Sequence, residues 1–232
     1  MKVLLLRLDA PLMAFGGVVV DNHGVIDDLP SMSLLTGLLG NALGYQRTEH
    51  SRLQRLQDRL SCVIRIDREG RRLRDFQTAD LNKDDVGWTT AGVPEGRAGG
   101  AGSYEGMHLR YRDYHADAAV TVAITLDGAD ESPTLEELAE ALDYPARPLF
   151  IGRKPCLPSG RISLGLVDSA GLVSALEAAE LAADATFPMR VFAAASGQAA
   201  PGTFQVHGRR NWQSGVHEGA DQWVELSWGA KT

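Results

Sequence analysis

The order of elements legible in the sequence predicts an α+β chain of ferredoxin-like, split βαβ order. Three observations carry that expectation: an apolar strand opens the chain, two leucine-periodic helices alternate with strands, and glycines gather in one stretch between two of those strands. With 232 residues, 44% hydrophobic and 23% charged, the chain can bury one large core and is too short for three.

Residues 3–8 are an apolar run that stops at Asp9-Ala10-Pro11, a strand ended by proline rather than a signal peptide. After a Gly- and Asp-containing stretch, Leu34, Leu35, Leu38, Leu39, Ala42 and Leu43 recur at helical spacing behind Ser31-Met32-Ser33, which defines the first helix. Gly37 and Gly40 inside it cost about 1 kcal/mol each relative to alanine, a penalty that close docking on a sheet would explain. A second helix follows, with Leu53, Leu56 and Leu60 on one face and Arg52, Arg55 and Arg59 beside them. The plainest account of that arginine stripe is a solvated face.

Residues 61–67 alternate, with Cys62, Ile64 and Ile66 facing one way and Arg65 and Asp67 the other. Arg68-Glu69-Gly70 then supplies a turn into residues 73–78, a hairpin with its arginines outward. Between 78 and 108 the pattern dissolves, and Gly92, Gly96, Gly99, Gly100, Gly102 and Gly106 fall within fifteen residues. A stretch of that length inside a compact domain is uncommon unless it has a function. Order returns at 109–117 and is plain where Val120, Val122, Ile124 and Leu126 alternate with smaller or polar residues. Ser132, as N-cap, and Pro133 start a helix carrying Leu135, Leu138 and Leu142, and residues 149–151 form a last short strand. Beyond it, a helical piece near 172–183 and strands at 203–206 and 222–228 read as an appended β-rich segment.

The formal charge is −7, which argues against bulk coating of nucleic acid or an anionic membrane. The distribution is polarised. Residues 45–75 hold nine basic against five acidic side chains, and residues 127–190 hold five against eleven. No apolar run approaches the ~18 residues of a membrane span. Cys62 and Cys156 each stand alone, so a reduced, cytoplasmic setting is expected, without a zinc ribbon or redox motif. Phosphate loops, dinucleotide fingerprints, HExxH and GxSxG are absent, and the histidines show no metal-ligating spacing, although His207 and His217 could meet across a hairpin. No cofactor or metal is expected. Two anion-holding candidates remain: Ser31 and Ser33 at a helix start, which also suit plain capping, and Gly152-Arg153-Lys154 after the short strand.

Five blocks occur in order: PLMAFG at 11–16, PSMSLLTGLLGNALGYQR at 30–47, LRDFQT at 73–78, YRDYHADA at 111–118 and FIGRKPC at 150–156. Together they resemble the CasD family of CRISPR-associated proteins, in its type I-E Cascade branch. The resemblance implies a modified RNA-recognition fold of RAMP type over residues 1–165. It is interrupted at 78–108 by a thumb-like insertion and followed by the β-rich segment 166–232. It further implies a non-catalytic subunit that caps the 5′ handle of a crRNA. Its neighbours would be a CasC-like backbone subunit and a CasA-like large subunit, with target DNA reached through the complex and no membrane involved. Contacts transferred by motif position are Phe15, Gly16, Ser31, Ser33, Gln46, Arg47, Arg74, Gln77, Gly152, Arg153 and Lys154, with Phe15 either stacking on a base or sitting in the core.

A local basic surface on an otherwise acidic protein suits one defined RNA end, because acidity elsewhere suppresses random binding. Two other readings stay open. Relatives in the type I-C branch cut the CRISPR repeat without metal, for which His115 with Tyr45 or Tyr114 is the available set, and His115 stands where the family commonly has an aliphatic residue. An interaction module that binds no RNA is the third.

Overall fold

The computed structural model describes residues 1–17, 22–79, 107–194, 202–206, 208–217 and 221–226. Along the chain run β1 (Lys2–Met13), β2 (His23–Gly24), α1 (Met32–Ala42), α2 (His50–Arg59), β3 (Leu60–Arg68), β4 (Arg71–Ala79) and β5 (His108–Leu126). They are followed by α3 (Leu135–Asp143), β6 (Ser163–Asp168), α4 (Leu172–Ala178), β7 (Arg190–Ala194), β8 (Thr203–Val206) and β9 (Asp221–Leu226). The architecture is α+β, and among the described residues the strands form one 9-stranded sheet.

β5 organises that sheet. Its C-terminal half lies between β1 and β3, antiparallel to both, with Val122 opposite Leu6 on one side and Ile64 on the other. β6 adds outside β1, and β7, β9 and β8 add in turn outside β3, giving the order β6-β1-β5-β3-β7-β9-β8. Leu4, Leu6, Leu8, Ile64, Val120, Val122 and Ile124 face a core shared with Leu35 and Leu39 of α1, Leu56 of α2 and Leu138 of α3. The intervening Val3, Leu5, Val63, Ala123 and Val191 face Ala175 and Leu176 of α4. Because successive strand residues point to opposite faces, the centre of the sheet is covered on both sides, and each fully buried leucine contributes about 1.5–3 kcal/mol.

Several sequence expectations change. Arg68-Glu69-Gly70 does not reverse the chain: β3 and β4 run on in the same direction, both antiparallel to the single long β5, from Leu60 opposite Leu126 to Ala79 opposite His108. The glycine is a bulge between them, at φ +65°, where a Cβ would stand 2.3 Å from the Ala116 carbonyl oxygen. The hairpin is thus β3–β4 against β5. Its outer part, β4 with the first half of β5, is an arm with an almost wholly exposed β4, and residues 80–106 of the expected insertion lie outside the described residues.

Arg65 and Asp67 do point away from Ile64 and Ile66, but that face is covered. Arg65 Nη1 donates to the Leu176 carbonyl at 2.5 Å and Nη2 to that of Glu180 at 3.0 Å, while Arg65 Nε pairs with Asp67 Oδ1 at 2.5 Å. A buried guanidinium thereby satisfies carbonyls at and just beyond the end of α4. The strand opposite β1 is residues 163–168; residues 149–151 make no ladder, only single bonds such as Ala14 N–H to the Ile151 carbonyl at 3.2 Å. Thr134, not Ser132, caps α3, in a reciprocal capping box with Glu137. Gly40 and Gly37 do not dock on the sheet: a Cβ on Gly40 would meet Leu53 of α2 at 2.6 Å, and Gly37 faces Trp212.

Candidate nucleic-acid interface

A groove of about 590 Å³ runs beside α1. Leu34, Gly37, Leu38 and Asn41, at spacing i, i+3, i+4 and i+7, share the helix face that forms its floor. Ala14, Gly16 and Gly17, after β1, and Phe150, Gly152 and Arg153 form one wall, and Arg210, Trp212 and His217 of the C-terminal segment form another. The wall needs glycine at 152, where φ is +88° and an added Cβ would stand 1.7 Å from the Ala14 carbonyl oxygen. Four arginines line the groove, Arg47, Arg147, Arg153 and Arg210, and none of the described lining residues is Asp or Glu.

Neutral groups position Arg147 and Arg153. Arg147 Nε donates to Asn41 Oδ1 at 2.9 Å and its Nη2 to the Tyr45 carbonyl. Arg153 donates to the carbonyls of Asp113 at 2.7 Å and Gly24 at 2.9 Å and lies over the Tyr114 ring. These bonds fix direction without cancelling charge. Burial, and then the repulsion of Arg47, hold the Arg210 guanidinium below its ordinary proton affinity.

The structure brings Gly16, Ser31, Ser33, Gln46, Arg47, Gly152 and Arg153 around this one groove. The others stand elsewhere. Phe15 is 1% exposed, with its ring 4.8 Å from that of His115, so it is a core aromatic and offers no free face to a base. Arg74 makes a two-point pair with Asp113, at 2.7 and 3.0 Å, on the arm, where Gln77 donates to Asp75. Lys154 is exposed beyond the groove lining. Ser31 caps α1 by accepting from Leu34 N–H at 3.2 Å, and Ser33 N–H donates to the Gly208 carbonyl at 2.9 Å. Those donors of the helix start are therefore already satisfied within the chain, and the two serine hydroxyls also bond each other at 3.1 Å.

Residues 3–222 match the sequence model of a family described as CRISPR-associated protein (Cas_Cas5). The chain belongs to that family. A curated relative, the CRISPR system Cascade subunit CasD of Escherichia coli (strain K12), is 30% identical over 170 residues, 70% of each chain. Two solved structures share the fold at 24% identity. One is described as a CRISPR RNA-guided surveillance complex (TM-score 0.71, 97% of this chain and 89% of that one), the other as a Cas protein (TM-score 0.63, 97% and 92%).

In this member of the Cas_Cas5 family, the sequence pattern does not point to Arg147, Arg210, Trp212 or His217 as groove residues; three of them lie in a segment far along the chain that is held beside the groove by contacts with α1 and α2. The signal that could have found the last three is local: a tight Asn211–Val216 turn, where Asn211 Oδ1 accepts from Gln213 and Ser214 N–H, that contains Trp212 and is flanked by Arg210 and His217. His207, which could meet His217 across a hairpin on sequence grounds, lies outside the described residues. The set His115, Tyr45 and Tyr114 is not assembled. His115 and Tyr114 are successive residues of β5 and face opposite sides, and Tyr45 stands beside Arg52 at the groove. His115 is 7% exposed with Nε2 2.8 Å from the Asp27 carbonyl, and burial holds its imidazole below its ordinary pKa. No group of three or more His, Cys, Asp or Glu among the described residues could hold a metal, and none of the described helices is long and apolar enough to cross a membrane.

Proposed function

We propose that the chain is the crRNA-binding subunit of a type I CRISPR surveillance complex in the cytoplasm, and that the groove beside α1 holds the 5′ handle of the guide without cutting it. The observation that carries this reading is the groove itself: four arginines converge on it and no carboxylate of the described residues lines it, in a protein of net charge −7. A single-stranded backbone needs such a cationic track with aromatic and hydroxyl neighbours, and the groove supplies Tyr45, Trp212, Ser31 and Ser33.

The strand order supports the same reading. Taken as β6-β1-β5-β3, with α1 between β1 and β3 and α3 between β5 and β6, the centre of the sheet follows the split βαβ order shared by RNA-recognition folds. The relative from E. coli is a Cascade subunit, which supports a place in such a complex, with a CasC-like backbone subunit and a CasA-like large subunit as neighbours and target DNA reached through them. In that assembly the arm carries the insertion toward the backbone subunit, Gln77 and Lys154 meet RNA only where it leaves the groove, and Arg74 stays with Asp113.

Binding of the purified protein to a labelled 5′-handle RNA, competed by a scrambled RNA of the same length in chelator, tests this. Preference for the handle and recovery of intact RNA are expected. Equal affinity for both RNAs would sink the handle assignment, and specific cleavage lost in His115→Ala would overturn the non-catalytic one.

A further inference from the structure

We infer that Arg210, on the C-terminal segment, is a phosphodiester-binding residue, and that residues 208–217 form the strap closing the RNA groove over α1. This rests on the RNA-binding reading above and extends it to a residue that no family motif points to.

The strap is built, not draped. Gly208 lets its backbone reach the start of α1, since a Cβ there would stand 2.5 Å from that of Ser31, and its carbonyl accepts from Ser33 N–H. α2 holds the next stretch: Gln57 donates to the Arg210 carbonyl at 2.9 Å and accepts from the Trp212 indole at 3.2 Å, and Gln54 accepts from Trp212 N–H at 3.0 Å. Arg210 pairs with His217 across a tight turn closed by Asn211 N–H to the Val216 carbonyl at 2.9 Å. Arg210 is therefore presented to the groove from a backbone fixed at both sides.

Its head group is left for something else. Arg210 Nε is buried and has no hydrogen-bond partner among the described residues, its guanidinium lies 5.2 Å over the Trp212 ring, and the neighbouring charge that acts on it is a second cation, Arg47. Arg147 and Arg153, in contrast, aim two nitrogens each at protein oxygens. A buried orphan donor next to a like charge is unfavourable in the free protein. A phosphate oxygen relieves both terms at once, by accepting from Nε and by screening the two guanidiniums from each other.

The experiment is the salt dependence of handle-RNA binding for wild type, Arg210→Ala, Arg210→Lys and Arg74→Ala. Losing one phosphate contact on a single strand lowers the slope of log affinity against log salt by about 0.7, and removing a charge-assisted bond lowers affinity roughly 10-fold or more. Arg210→Ala is expected to show both. Arg210→Lys, which keeps the charge and the fold, is expected to restore the slope and only part of the affinity. Arg74→Ala should leave the slope unchanged. Arg210→Ala with wild-type slope and affinity would overturn this inference while leaving the groove reading intact; no salt-sensitive handle binding by the wild type would overturn both.

Discussion

The groove and the β4–β5 arm are both rich in arginine and differ in what stands opposite each one. On the arm, Arg74 faces Asp113 across the ladder, Asp75 faces Arg112, and Arg72 reaches Asp28 at 2.5 Å. In the groove, Arg147, Arg153 and Arg210 are oriented by carbonyls, an amide and aromatic rings. The excess of basic residues at 45–75 therefore does not mark the site. Most of it is neutralised in place: Arg52 by Glu49, Arg55 by Glu131, Arg65 by Asp67 and Arg68 by Asp9 and Asp117. Arg59, fully buried, clips the carbonyls of Asp127, Gly128 and Glu131. Of that excess, Arg47 is the residue that lines the groove, where it is joined by arginines drawn from the acidic half and the C-terminal segment.

The most severe way to break the contrast is to collapse the groove wall. Gly152→Ala combines a left-handed φ with backbone overlap and is expected to cost about 3 kcal/mol, read as a lower urea midpoint with handle binding lost in parallel. Gly16→Ala, on the same wall with no heavy atom within 4 Å of an added Cβ, should shift stability by less than about 0.5 kcal/mol. Equal losses in the two variants would show that the wall does not depend on the close approach at Gly152.

Next in size is the charge contrast. Arg47→Ala is expected to weaken handle binding about 10-fold with little change in the thermal midpoint, because the residue is exposed at the groove. Arg74→Ala should change affinity less than about 3-fold and stability by under about 1 kcal/mol, as for other exposed pairs. The arm has an acid signature that the groove lacks. The hydrogen bond from Arg74 holds the Asp113 carboxyl below its usual 3.8. With the folded value depressed, the pair's contribution is complete above that usual value and is lost as pH falls through the lowered one. Asp113→Asn should therefore unfold with less acid dependence than wild type in that window, and identical acid profiles would show that the pair contributes nothing.

What can be read from sequence follows the range of the interactions. The first helix and the second half of β5 are legible because leucine spacing and strict alternation are local signals, and each has its burial pattern written within a dozen residues. Gly70 is ambiguous because a positive-φ glycine serves a bulge and a turn equally well, and only the partner strand tells them apart. β6 and β7 escape sequence reading because they are short strands whose pairing with β1 and β3 is set across the sheet. The burial of Arg65 likewise depends on α4, more than a hundred residues away. The family motifs mark the groove's helix and glycine wall, while Arg147 follows from tertiary placement alone and the strap shows in sequence only as a turn.

The smallest expected effect concerns His115, where the two regions meet at the root of the arm. Its ring packs on Phe15 and its Nε2 donates to the Asp27 carbonyl, with Arg72 and Asp28 the charged groups acting on it. Burial lowers its pKa from the ordinary 6.5, so below that value the unfolded chain takes up more protons than the folded one, and stability falls as pH drops through the window. Replacing the ring by His115→Phe keeps an aromatic against Phe15 and removes the proton. Thermal unfolding from pH 8 to about 5 should show a shallower decline for the variant than for wild type, with handle-RNA affinity unchanged at both ends. A core histidine gives that pair of results. A histidine that acts on RNA would alter the RNA's fate when replaced, whatever the unfolding profile, which makes the RNA measurement decisive for the arm's root as structure rather than chemistry.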